Sequence, residues 1–98
     1  MTLAVHLRLE AEADLEEAAA WYERQREGLG QEFLDEALNA FHAISENPHL
    51  FPLVHRRTRR VLMRRFPFGI YYRVESDVLV VVAVMHASRH PRHWKRRV

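Results

Sequence analysis

Two hydrophobic periods alternate along this chain, and the switches between them mark out its elements. From Leu3 to Leu9 the period is two: Leu3, Val5, Leu7 and Leu9 share one face, and Ala4, His6 and Arg8 share the other. That is the pattern of a half-buried strand. From Glu10 to Glu27 the spacing becomes helical, with Leu15, Ala18, Ala19 and Tyr22 on one stripe and Trp21 beside them. Trp21 and Tyr22 are expected to pack between this helix and a sheet, because aromatics at helical spacing usually belong to a core. Glu10, Glu12 and Asp14 suit the positive end of the helix dipole. Gly28 and Gly30 are expected to end the helix by supplying left-handed backbone. A second helix runs from Gln31 to Glu46 on a stripe of Phe33, Leu34, Ala37, Leu38, Phe41 and Ile44, and Asn47-Pro48 stops it.

The period then returns to two. His49 to His55 reads as a loop broken by Pro52, after which Val61 and Met63 alternate with Arg60, Leu62 and Arg64. Pro67-Phe68-Gly69 and Glu75-Ser76-Asp77 read as turns enclosing a strand from Ile70 to Val74. Val78 to Met85 is apolar on both faces, so it should be a central strand covered on both sides. Short hairpin turns make these three strands antiparallel neighbours. The predicted order is β-α-α-β-β-β: an α+β fold in which a helix hairpin packs on one face of an antiparallel sheet. The basic tail from Pro91 to Val98 carries Trp94 as a partial anchor.

Ninety-eight residues make a single domain, residues 1–98. With no cysteine, disulfides and thiolate metal sites are excluded, and a reducing compartment fits. The first residues have no basic start and no long apolar run, so no signal peptide is expected. Val78 to Met85 is far shorter than the ~20 residues of a membrane helix. The expectation is a soluble, cytoplasmic protein without a membrane partner. The net charge of +2 conceals a division: residues 1–54 hold three arginines against eleven acids, a net −8. Residues 55–98 hold twelve Lys and Arg against two acids, a net +10. Such asymmetry points to an anionic partner for the second half.

Candidate chemistry collects in that basic half. His86, Arg89, His90, Arg92 and His93 follow directly from the last strand, where functional groups often emerge. Arg60, Arg64 and Arg73 add charge from the sheet. Arginine recognises phosphate and carboxylate through its planar fork, and histidine transfers protons near neutral pH. These residues permit RNA cleavage, with a base for the 2′-OH, guanidinium groups for the phosphorane and an acid for the leaving oxygen. They equally permit plain binding to an acidic partner, and spacing does not choose. His86, His90 and His93 sit among too many cations to suit a metal, so no metal or cofactor is expected. No phosphate-binding glycine loop is present. The acids of the helices read as a solvated face.

The segments EAEADLEEAAAWYE, FLDEALNAFHAISENPHLFP and RRVLMRRFPFGIYYRVESDVLVVVAVMHASRHPRHW carry a family pattern. The chain resembles the toxins of type II toxin–antitoxin systems in the RelE/ParE superfamily, most of all the ParE-like branch of plasmid stabilisation proteins. The resemblance implies a toxin that arrests bacterial growth and is neutralised by a small antitoxin with an acidic tail, wrapped around the sheet and helix hairpin. The assembly could be a toxin homodimer or a toxin–antitoxin hetero-oligomer. Within the superfamily, ParE-like members block DNA gyrase and RelE-like members cut ribosome-bound mRNA without a metal. Gly69 stands where the RelE pattern commonly carries arginine, which favours gyrase, whereas His86 and Arg89 fall near positions that carry His or Arg in the nucleases. A nuclease would use His86, Arg89 and Arg64 as catalytic residues. The antitoxin and target surface is expected to comprise Arg60, Arg64, Arg73, His86, Arg89, His90, Arg92 and His93. A binding module without toxicity is the third reading.

Overall fold

An apolar strand with two hydrophobic faces needs two covers, and the fold supplies them from opposite ends of the chain. The computed structural model describes residues 2–98. Its elements are β1 (Ala4–Leu7), α1 (Leu9–Gln25), α2 (Leu29–Glu46), β2 (Leu53–His55), β3 (Thr58–Leu62), β4 (Phe68–Glu75), β5 (Val78–His86) and α3 (Arg92–Lys95). The sheet order is β1-β5-β4-β3-β2. One face carries α1 and α2 over Val61, Ile70, Tyr72, Leu79, Val81 and Val84. The other face, called outer below, is closed by the tail, with Trp94 packed on Tyr71, Val80, Val82, Ala83 and Met85.

The α+β architecture and the helix hairpin match the sequence pattern, but the sheet is mixed. β1 pairs parallel to β5, Ala4 opposite Val78 through Leu7 opposite Val81, while the other pairs are antiparallel. Parallel neighbours need a long crossover, and here nearly the whole chain intervenes between them. Pro52 does not keep its segment out of the sheet, because β2 is an edge strand where a missing N–H is tolerated. β4 begins at Phe68, so Phe68 and Gly69 are strand residues and the turn lies before them. The Met63 N–H donates to the Phe68 carbonyl at 2.9 Å and closes that turn.

β5 contains a bulge that alternation alone conceals. Tyr71 lies opposite Ala83 and Tyr72 opposite Val81, so Val82 has no cross-strand partner. Val82 and Ala83 therefore both belong to the outer-face cluster, and Val84 returns to the helix side. Beyond Val81 the β1 ladder has ended, and side chains take over its hydrogen bonds. The Val84 N–H donates to Asp14 Oδ2 at 3.0 Å, and Arg97 Nη1 donates to the Val82 carbonyl at 3.1 Å. Arg97 also grips Asp14 at 2.6 and 3.2 Å, and Arg8 donates to the Arg97 carbonyl at 2.7 Å. One ion pair thus joins α1, β5 and the tail.

The hairpin joint differs from the glycine pattern in one respect. Gly28 does adopt the left-handed conformation, at φ 88°. Gly30, however, lies inside the first turn of α2, and its role is close approach: a Cβ there would stand 2.6 Å from the Ala19 carbonyl oxygen. Glu23 accepts the N–H groups of both Gly28 and Gly30 at 3.0 Å, capping α2 with a carboxylate from α1. Tyr22 stacks on Phe33 at 5.3 Å and meets Phe66 edge-on at 4.8 Å, as a core aromatic should. Trp21 does not: it is 51% exposed. One residue along a helix turns the side chain by about 100°, which carries Trp21 off the stripe that Tyr22 occupies. Leu38 is likewise exposed, on the flank of α2 that borders β1, where it lines a shallow groove with Val5 and Leu7.

Gly30→Ala is therefore expected to destabilise the fold by about 1–3 kcal/mol, the usual cost of overpacking, despite the better helix propensity of alanine. Urea denaturation would show it as a lower midpoint at unchanged slope, and unchanged stability would contradict the close-approach role.

Candidate functional site

The candidate side chains lie on different elements, some within strands and some beyond their ends, and the basic residues consequently occupy several surfaces. The first is the exposed edge of β3. β2 pairs with β3 only at Leu53–Arg59 and His55–Thr58, so Val61 and Leu62 face no further strand on that side. Beside this edge runs a groove of about 510 Å³ between β3 and α2, floored by Ala40, Ala43, Phe51, Val61 and Met63. Arg64 stands at its rim and has no ion pair among the described residues. Arg65, also at the rim, is held: its N–H donates to Glu36 at 2.6 Å and its guanidinium to Glu32 at 2.7 Å. The hydrogen bond from Arg65, with a second from Arg26, keeps the Glu32 carboxyl below its usual range.

The second surface is the outer sheet face. Arg60 lies opposite Tyr71, and its Cδ is 3.1 Å from the point a Cβ on Gly69 would occupy. The arginine stem thus covers the space that glycine leaves open. Arg73, on the same face of β4, pairs with Glu75 at 2.6 Å and is largely buried, with its Nε left without a partner. Trp94 stacks on Tyr71 at 4.6 Å and closes much of what remains.

The third surface is at the end of β5. The Ser88 N–H donates to His86 Nδ1 at 3.1 Å, and Ser88 Oγ is 2.7 Å from the same nitrogen. Because a backbone N–H can only donate, Nδ1 is the acceptor and the neutral ring carries its proton on Nε2. His86 also meets the Phe68 ring at 5.5 Å. His86 and Arg89 line a cavity of about 210 Å³ with Glu17, Trp21 and Arg24 from α1. His90, Arg92 and His93 continue from there onto α3. The Arg92 N–H donates to His90 Nδ1 at 3.1 Å, and His93 Nδ1 is buried without a partner.

The structure therefore brings Arg60 and Arg73 together on the outer face and His86 and Arg89 together at the end of β5. It leaves Arg64 apart in the α2–β3 groove. Glu17 and Arg24 escaped the sequence reading, and Trp21 was expected in the core, although their spacing of four and three residues sets the three on one helical stripe. Among the described residues no group of three His, Asp or Glu side chains is placed to hold a metal ion. No helix is long and apolar enough to cross a membrane.

The family model of the ParE toxin of the type II toxin–antitoxin system parDE matches residues 5–91. No curated protein matches the chain in sequence. Among solved structures, a chain of the chromosomal ParDE system from P. aeruginosa superposes with a TM-score of 0.66 at 14% identity, covering 87% of this chain and 96% of that one. A chain of the toxin–antitoxin complex RelBE2 from Mycobacterium tuberculosis superposes with a TM-score of 0.62 at 18% identity, covering 88% and 99%.

Two histidines beside Trp94 make the tail sensitive to acid. Burial holds His93 below its ordinary value of 6.5, and Arg89, Arg92, Arg96 and His90 push the same way. Burial, then Lys95 and Arg56, lower His55 too. With folded values below the unfolded 6.5, the unfolded chain takes up protons first as the pH falls through 6.5, so the folded state loses stability there. Thermal midpoints should fall between pH 7.5 and 5.5, and the His55→Gln/His93→Gln variant should show a flatter profile. An equal slope in parent and variant would contradict this.

Proposed function

The chain belongs to the family of ParE toxins of type II toxin–antitoxin systems, and on that premise we propose that it arrests bacterial growth by disabling DNA gyrase until a cognate antitoxin occupies the α2–β3 groove. The open edge of β3 beside that groove carries the reading. An extended peptide can add to such an edge through main-chain hydrogen bonds and place alternate side chains on an apolar floor. The floor here is Ala40, Ala43, Phe51, Val61 and Met63, and the unpaired Arg64 at the rim favours an acidic segment. The net +10 of residues 55–98 attracts such a segment at longer range.

The same geometry favours a target that is obstructed over one that is cleaved. RNA cleavage would require a free base, a free acid and guanidinium groups around one phosphate. On the outer face Arg73 is engaged by Glu75, which leaves Arg60, its stem packed over Gly69, as the one of the two without an ion pair among the described residues. At the end of β5, His86 Nδ1 is occupied by the Ser88 N–H, so the neutral ring presents a donor and not a base.

Ala43→Lys, which fills the groove, should weaken antitoxin binding at least tenfold, about 1.4 kcal/mol, with little change in thermal midpoint. Equal affinity would move the antitoxin elsewhere. Induced without antitoxin, the protein should produce gyrase-linked DNA breaks. Ribosome-dependent mRNA cuts with intact DNA would replace gyrase by the nuclease reading, and healthy growth at high expression would leave a binding module without toxicity.

A further inference from the structure

The cavity at the end of β5 has a composition that neither the fold nor antitoxin binding calls for. Trp21 lines it and is half exposed, although a large aromatic on an amphipathic helix would ordinarily be buried. Arg24 and Arg89 bring two guanidinium groups with no carboxylate partner among the described residues. Glu17 brings one carboxylate, likewise without an ion-pair partner. Asp14 borders the cavity, but both its oxygens are committed to Arg97 and the Val84 N–H. His86 adds a ring whose Nδ1 is occupied, which leaves an Nε2–H free to donate. The site thus holds one stacking surface, one free acceptor and three free donors in about 210 Å³.

We infer that this cavity binds a guanine nucleotide, with the base on Trp21, its N1–H and N2–H groups on Glu17, and its phosphate on Arg24 or Arg89. Planar bases stack on tryptophan whatever their sequence, so Trp21 supplies attachment without choice. The choice comes from Glu17. Guanine alone among the common bases presents a donor at N1 beside a donor at N2, which one carboxylate can accept together. Adenine presents an acceptor at N1 and would face the carboxylate with a lone pair. The guanine O6 and N7 acceptors match the remaining donors, as arginine does when it reads this base. Glu17 against Arg24 and Arg89 leaves one positive charge, which suits a phosphate. A space of about 210 Å³ has room for one bicyclic base. The ligand can be a free nucleotide or a guanosine within an RNA strand, since both present the same base and phosphate.

The purified full chain can be titrated with GMP, AMP and a single-stranded RNA hexamer containing one guanosine, with binding followed by calorimetry and tryptophan fluorescence. GMP should quench the emission of Trp21 and bind at least tenfold more tightly than AMP. Glu17→Gln should remove that preference, and Trp21→Leu should weaken both nucleotides at least tenfold. Trp94, buried on Tyr71, should keep its emission in both variants and report an intact fold. Tighter binding of the hexamer than of GMP, with the same loss on Glu17→Gln, would assign the site to RNA; equal or weaker binding would assign it to the free nucleotide. No binding of any of the three at millimolar concentration, or equal binding of GMP and AMP unaffected by Glu17→Gln, would overturn the inference. The measurement needs neither antitoxin nor growth arrest, so its outcome is separate from that of the toxin reading.

Discussion

The ion pair between Asp14 and Arg97 holds the two layers of this protein to its sheet. β5 is buried on both faces, and β1 covers its edge only as far as Val81. Past that point the Val84 N–H and the Val82 carbonyl would face a protein interior with nothing to bond, at a cost of about 1–3 kcal/mol for each group left unpaired. Asp14 accepts from one and Arg97 donates to the other, and the two side chains bind each other in a fork. Asp14 belongs to the helix layer and Arg97 to the tail. The pair therefore closes the sheet edge and fastens both covers with one set of contacts. Its side chains are 15% and 20% exposed, enough burial for geometry to matter more than charge alone.

With that edge closed, the candidate surfaces lie along the edges and ends that remain open. β3 outruns β2, and the unpaired stretch becomes the wall of a groove. The end of β5 and the stripe of α1 from Glu17 to Arg24 line a second, smaller cavity. The outer sheet face is taken up by Trp94 on Tyr71, by the Arg60 stem over Gly69 and by the Arg73–Glu75 pair. Charge follows the same division. The acids of α1 and α2 hold specific positions, Glu23 capping α2 and Glu32 bridging Arg26 and Arg65, so this helix face is more than a solvated surface.

Local sequence carried the helix hairpin, the last three strands and the double-sided burial of β5, because each depends on periodicity within one element. It did not carry the parallel pairing of β1, which depends on contacts between the two ends of the chain. Nor did it carry the bulge at Val82, since a continuous run of Val78 to Met85 looks the same with or without one. The candidate site was partly legible. His86 and Arg89 do lie together, but Arg64 and Arg73 point to different surfaces. A strand's neighbours, and which edge they leave free, are not written in its own alternation. Trp21 was read as core because it lies beside the stripe that Tyr22 occupies, yet a single helical step separates a packed ring from an exposed one.

The claim on which this picture rests is that Asp14 and Arg97 act as one unit across α1, β5 and the tail. A double-mutant cycle of Asp14→Asn and Arg97→Gln, measured by urea denaturation, tests it directly. The account predicts that the two losses are far from additive, with a coupling of about 2 kcal/mol. Additivity within about 0.5 kcal/mol would contradict it and leave the tail as an independent cap on the sheet.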